Sequence, residues 1–279
     1  MSGTVLLNGQ PADPALALSR GLHYGDGIFR TLLKYNSQLI DFKLQYIKLT
    51  EDAAALGLEA PDLGMLQREA EGVGAAVGNG VIKILLLRSG AGRGYTPRTS
   101  GCDRLLLSYP LPRYPLPHWQ EGIEACRCEL RLARQPALAG IKHLNRLEQV
   151  LAARNWPEGA VEGILCDERG APVCGTRSNL FWIRDGVLHT PALESCGVAG
   201  MMRGKVLACA AALGIATRVE TRPWSVLMDA AEAFVTNSLI GIWPLRRLGQ
   251  RDWGEPGPLT HKLRTALQHP CIACDPDQV

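Results

Sequence analysis

The sequence predicts an α+β protein of two domains, and three observations carry that expectation. At 279 residues the chain is long enough for one large domain or two smaller ones. Short apolar runs of strand length alternate with segments of helical periodicity. Between them lies "PLPRYPLPHW", Pro110 to Trp119, with four prolines in ten residues. That density excludes regular helix or central strand and favours an extended connector. The expected organisation is a small N-terminal α/β domain over 1–110, a proline-rich linker over 111–120 and a larger C-terminal domain over 121–279.

The elements follow in order. "TVLLNGQ" and "GIFRTLLKYNSQLIDF" supply short strands, and an alanine- and leucine-rich helix is expected around Leu49 to Leu58. "VIKILLLRSG" and "DRLLLSYPL" have the length and branching of buried strands. Past the linker, "GIEACRCELRLA" alternates as a strand. "GIKHLNRLEQVLAA", Gly140 to Ala153, reads as an amphipathic helix with Leu144, Leu147, Val150 and Leu151 as its buried stripe and Lys142 at its mouth. "EGILCDERGAPV" and "LFWIRDGVLHTP" read as strand pairs turned at Arg169-Gly170 and Asp185-Gly186. "GVAGMMRGKVLACAAALG" opens a second helix after its glycines and closes it at Gly214. "AFVTNSLIGIWPL" is strand-like, and Trp182 and Trp243 belong to the core.

Apolar residues make up 46% of the chain and charged residues 20%, and the net charge of +3 is scattered without a basic run. This is ordinary globular composition, and nucleic acid is not an expected partner. "MSGTVLLNGQ" lacks the flank and core of a signal peptide, and no apolar run approaches the ~18 residues of a membrane span, so a cytoplasmic protein without a membrane partner is expected. Nine cysteines, an odd number, read as free thiols acting as small buried hydrophobes. Cys126 with Cys128 and Cys271 with Cys274 each fall short of the roughly four ligands that zinc requires, so no metal site is expected.

Two features carry chemistry. Lysines mostly sit on surfaces, and Lys142 read alone is a solvated lysine at a helix start. Gly197 to Met202 lead into a helix whose exposed N–H groups and dipole form an anion site, although glycines also serve simply to ease a turn.

"LHYGDGIFRTL", "GRGYTP", "KHLNRLEQVL", "GTRSNLFW", "GVAGMMR" and "VTNSLIGIWPL" together resemble the fold-type IV pyridoxal-phosphate enzymes, in order and over nearly the whole chain. That group holds the branched-chain and D-amino-acid aminotransferases and 4-amino-4-deoxychorismate lyase. The resemblance implies a two-domain fold-type IV enzyme, pyridoxal 5'-phosphate (PLP) in the cleft between the domains, and a homodimer. The family's Schiff-base lysine falls on Lys142. Backbone groups at Gly200, Met201 and Met202, with Thr236, Asn237 and Ser238, fall on the phosphate site, and Asn179 falls among the cofactor-binding residues. Arg30, Arg93, Tyr95, Arg98 and Arg146 fall in motifs suited to substrate, where guanidinium forks match carboxylates. Arg146 stands four residues after Lys142, where it either lowers the lysine's pKa or binds a carboxylate. Arg177 is a further candidate cation, and Asp26 is read as holding a turn.

Two positions depart from the family. Cys174 stands where relatives place the glutamate that pairs with the ring nitrogen, and a thiol is a weak neutral partner. Lys48 stands where an arginine contacts the phosphate, keeping the charge without the fork; Gln45 replaces a histidine nearby. Within the group, "KHLNRLEQ" and "GRGY" look most like the lyase, which releases 4-aminobenzoate and pyruvate on the folate route. Transamination depends more on a protonated ring than does an elimination drawn forward by aromatisation. The competing readings are a D- or branched-chain amino-acid transaminase and, from another class, a relative that has lost PLP chemistry.

Overall fold

Apolar residues on both faces of "GIFRTLLKY" and "VIKILLLR" build the first sheet. In the computed structural model, which describes residues 6–7, 10–11, 17–90 and 94–274, the chain falls into two units. Unit 1 is Met1–Pro110 with Lys142–Asn145; unit 2 is Leu111–Ile141 with Arg146–Val279.

Unit 1 runs β1 (Leu6–Leu7), β2 (Gln10–Pro11), α1 (Arg20–Tyr24), β3 (Gly27–Tyr35), β4 (Gln38–Leu39), α2 (Phe42–Ala55), α3 (Leu63–Gly74), β5 (Gly80–Arg88) and β6 (Cys102–Pro110). β1 pairs with β2, and an antiparallel sheet is ordered β4-β3-β5-β6. Ile28, Leu32, Ile82 and Leu86 are fully buried in it, as is Leu49 of α2. Asn36 and Ser37 take positive φ in the β3–β4 turn.

Unit 2 runs α4 (Pro117–Gln120), β7 (Ile123–Leu132), α5 (Leu147–Ala152), β8 (Glu162–Asp167), β9 (Pro172–Gly175), β10 (Asn179–Arg184), β11 (Val187–Thr190), α6 (Met201–Ala212), β12 (Thr217–Val219), α7 (Ser225–Met228), β13 (Glu232–Asn237), β14 (Gly241–Leu248), β15 (Arg251–Asp252) and α8 (Pro258–Leu267). The sheet order β10-β13-β14-β7-β8-β9 returns to β10 through a β9–β10 pairing, closing a barrel; β11 and β12 extend from β10. Closure removes exposed edges. Asp185 and Gly186 both take positive φ, the conformation a tight two-residue hairpin requires. Trp182 and Trp243 are 1% exposed, in the core. All nine cysteines are free, and among the described residues no helix is long and apolar enough to cross a membrane.

Four expectations are corrected. The helix expected over Gly140–Ala153 is confined to Leu147–Ala152. Residues 142–144 are held in extended form, because Phe29 N–H donates to the Lys142 carbonyl, Leu144 N–H donates to Gly27, and His143 bridges Ile28. The expected buried stripe is open: Leu147, Val150 and Leu151 are 73%, 52% and 47% exposed. The same hydrogen bonds place Lys142 with unit 1, not with the C-terminal domain. The proline-rich stretch is no bare linker either. Pro117 starts α4, Trp119 is buried with its indole N–H on Ile240, and the Tyr114 ring meets Trp243 edge-on at 4.8 Å.

Glu232 ties β13 to α8. Its buried carboxylate accepts the N–H groups of Leu259 and Thr260 at 3.0 and 2.7 Å, and the Gly257 cap leaves the room it occupies. Glu232→Ala strands both donors and is expected to cost about 1–3 kcal/mol in urea unfolding, with Glu232→Gln costing less.

Candidate active site

In unit 1, the extended segment projects the Lys142 amine over the Phe29 ring, 4.3 Å from its centroid. The Lys142 backbone N–H donates to Asp52 Oδ2 at 2.9 Å. Asp52 also pairs with Arg30 and, at 2.9 Å, with Lys48 Nζ. Lys48 reaches Glu51 as well, at 3.1 Å. Spacings of three and four residues on α2 place both carboxylates beside the amine. Lys48 is therefore engaged by carboxylates where the sequence suggested a phosphate contact. Arg30 is likewise withdrawn from the substrate role: it is 2% exposed, bonded to Asp52 and to the Lys48 carbonyl at 3.0 Å. Burial pushes its guanidinium pKa down, opposed by Asp52 and then Glu51. Gln45 is buried and donates to the Thr31 carbonyl at 3.2 Å.

The loop of "GRGYTP" is anchored rather than free. Arg20 donates to the carbonyls of Gly94 and Tyr95 at 2.8 and 3.0 Å, and the Tyr24 hydroxyl accepts the Gly94 N–H at 3.1 Å. Asp26 joins Arg20 at 2.8 Å to Arg88 at 3.0 Å, a larger role than a turn. Tyr95 is 86% exposed and meets Tyr24 edge-on, and Arg98 is exposed. Arg93 lies outside the described residues.

In unit 2, the candidates converge on the barrel's closing row. Asn179 of β10 stands opposite Cys174 of β9 and opposite Thr236 of β13. Its side chain then fixes the start of α6, accepting the Gly200 N–H at 3.1 Å and donating to the Val198 carbonyl at 2.7 Å. A Cβ at Gly200 would lie 2.3 Å from that oxygen. No side chain caps α6 at Gly200, so its first turn, Met201 and Met202, presents backbone N–H groups to an anion. Thr236 donates to the Gly241 carbonyl, and Asn237 accepts from Leu239 and Ile240 at 2.9 and 3.1 Å, which folds the turn that carries Ser238.

Cys174 is buried. Loss of solvent, then the negative charge of Glu162, pushes its thiol up to about 12. Arg146 is half-buried, its pKa pushed down by burial and back up by Cys174 and Glu148. It belongs to unit 2 with Cys174, and no helical turn joins it to Lys142. The sequence reading passed over Glu162, hidden inside an apolar strand. Its carboxylate, 1% exposed, accepts from Gly163 N–H, Thr176 N–H, Thr176 Oγ1 and Ser178 Oγ at 2.6 to 3.0 Å. It thereby fixes the β9–β10 turn beneath Cys174. Arg177, 45% exposed at its side chain, donates to the Val161 carbonyl at 2.8 Å.

The family model described as amino-transferase class IV matches residues 27–248, which include Lys142, the closing row and the α6 start. The chain belongs to the aminotransferase class IV family. PLP is the cofactor of this class IV family. Aminodeoxychorismate lyase of Vibrio harveyi is 32% identical over 242 residues, 86% of this chain and 89% of that one. The solved 4-amino-4-deoxychorismate lyase of Pseudomonas aeruginosa is 40% identical, with a TM-score of 0.85 over 93% of this chain and 96% of its own. D-alanine aminotransferase of Staphylococcus aureus is 27% identical over 278 residues, 95% of this chain and 96% of that one. The fold is thus that of the fold-type IV class IV enzymes.

The raised thiol pKa gives a test with a defined sign. The fold favours the neutral thiol, whereas the unfolded chain releases that proton near pH ~8.5. The Cys174 contribution to stability is therefore present below that pH and is lost as pH rises towards about 12. At pH 8, iodoacetamide is expected to label exposed Cys271 in the folded protein and spare Cys174 until denaturant is added. Rapid labelling of native Cys174 would contradict this burial.

Proposed function

We propose that this class IV protein is a PLP-dependent aminodeoxychorismate lyase, converting 4-amino-4-deoxychorismate to 4-aminobenzoate and pyruvate. The observation that carries the choice over transamination is the buried, neutral Cys174 thiol in the row that also holds Asn179 and Thr236. The similarity to the two lyases supports the same reading.

The residues present fit the cofactor at its phosphate end. Gly200 makes room for the Asn179 side chain that sets the helix start, and no side-chain cap there would compete with an anion for the backbone of Met201 and Met202. Asn237 and Ser238 complete the cup. Lys142 would hold the aldehyde carbon, and Cys174 would face the ring nitrogen as a weak neutral donor. Lys48, paired with Asp52 and Glu51, is not counted among the phosphate ligands. When bound, PLP supplies an electron-withdrawing ring conjugated to the substrate nitrogen, which acidifies the neighbouring C–H.

Lys142 then has two tasks. Its Nζ would hold the cofactor's aldehyde end until the substrate amine arrives, and would then take the proton from the amine-bearing ring carbon. Loss of that proton accompanies cleavage of the adjacent C–O bond. The substrate ring becomes aromatic, and the departing enol takes up a proton to become pyruvate. Aromatisation supplies driving force that a transamination lacks, so this reaction tolerates a thiol where a carboxylate would otherwise sharpen the sink. Arg146, half-buried beside Cys174, and Arg98 on the anchored loop remain the candidate partners of the substrate carboxylates. The homodimer that the resemblance implies would also give the open Leu147, Val150 and Leu151 face a cover.

With aminodeoxychorismate and PLP, the protein is expected to release 4-aminobenzoate and pyruvate in equal amounts without a keto-acid acceptor, and to give little product from D-alanine or leucine with 2-oxoglutarate. Chromatography of the aromatic product and coupled pyruvate detection read both. Robust transamination without 4-aminobenzoate would move the assignment to the aminotransferase branch. Silence in both assays from folded, PLP-supplemented protein would favour a relative that has lost the chemistry. Cys174→Glu is expected to tighten PLP binding and raise side transamination, with lyase turnover changing less; loss of PLP binding in that variant would contradict the place given to Cys174.

A further inference from the structure

Asp52 gathers donors from three separate stretches of chain. Its Oδ2 accepts the Lys142 backbone N–H at 2.9 Å and a guanidinium N–H of Arg30, and its Oδ1 accepts from Lys48 Nζ at 2.9 Å. Arg30 and Asp52 are 2% and 1% exposed. A buried ion pair repays its desolvation poorly, and an apolar pair of similar volume often serves stability as well. An apolar pair cannot, however, accept the Lys142 N–H.

That bond completes a particular clamp. The Lys142 carbonyl is taken by Phe29 N–H at 3.0 Å, and Leu144 N–H by the Gly27 carbonyl at 3.0 Å. The Lys142 N–H lies outside this ladder and donates to Asp52. With both backbone groups fixed, the side chain leaves from a set direction, its amine over the Phe29 ring. We propose that Asp52, held in place by Arg30 and Lys48, is the positioning residue of Lys142. It fixes the backbone from which the reactive amine projects. The chemistry assigned to that amine rests on the lyase reading; the anchoring does not.

Two double variants isolate the bond. Arg30→Met/Asp52→Asn removes the buried ion pair and keeps an acceptor for the Lys142 N–H. Arg30→Met/Asp52→Leu removes the pair and the acceptor together. In both, Lys48 retains Glu51. Amide hydrogen exchange resolved to Lys142 is measured without cofactor, and capture of PLP by Lys142 is followed by borohydride reduction and peptide mass. Loss of a charge-assisted hydrogen bond is expected to speed Lys142 exchange and slow PLP capture by about tenfold or more in the leucine variant, with the asparagine variant staying close to the wild type. In turnover, kcat should fall in the leucine variant with KM little changed. Equal exchange at Lys142 in the two doubles would overturn the proposal. If either double fails to fold, the wild type decides: slow exchange of the Lys142 amide supports the clamp, and exchange at the rate of a free amide overturns it. Wild-type protein that captures no PLP would overturn the cofactor reading alone, because the exchange contrast still decides the role of Asp52.

Discussion

The constraint on which the candidate chemistry depends is the removal of residues 142–144 from helix. Three hydrogen bonds, to Gly27, Phe29 and Asp52, could not form if this stretch coiled towards α5, and together they outweigh its helical pattern. The cost is visible in two places. Arg30 and Asp52 are buried as charges, which water would otherwise solvate well. The leucines expected to pack beneath a longer helix are left open to solvent.

Unit 2 shows the same economy in a different form. The pairing that closes its barrel, Asn179 with Cys174, also brings together the residues assigned to the ring and the phosphate. Asn179 serves as strand residue, barrel closure and brace for the α6 start. Glu162 holds the turn between the two strands with three accepted hydrogen bonds, so the thiol of Cys174 sits in a rigid, dry surrounding. Rigidity would matter there for a cofactor ring, since a thiol offers no charge to draw it into place. In the proposed lyase reaction, the substrate's own aromatisation would supply the pull that a thiol lacks.

Much of this was legible in the sequence wherever local chemistry decides. Asp185-Gly186 turned where its tolerance of positive φ allows, the glycines before Met201 preceded a helix, and "VIKILLLRSG" became a buried strand, whereas "DRLLLSYPL" became the edge strand β6, none of whose residues is fully buried. The fold-type IV resemblance was legible because its motifs are short and ordered along the chain. Illegible features all depend on distant partners. Nothing local in "KHLNRLEQ" reveals that Asp52, ninety positions earlier, will accept a backbone N–H and hold the segment extended. Arg30 looked like a substrate cation because nothing in its place on β3 gives a sign of a buried carboxylate opposite. Lys48 resembled a phosphate ligand by its place in the family pattern, yet Glu51 and Asp52 on the same helix face claim it. Glu162 was hidden by the apolar residues around it, and only the fold shows its hydroxyl and N–H partners.

Which amine meets the cofactor is the most direct test of the proposed chemistry. Protein incubated with PLP, reduced with borohydride and digested is expected to carry one added pyridoxyl phosphate, on the peptide containing Lys142, with Lys142→Ala protein carrying none. A reduced adduct on Lys48 or another lysine, or an adduct that persists in the Lys142→Ala variant, would contradict it.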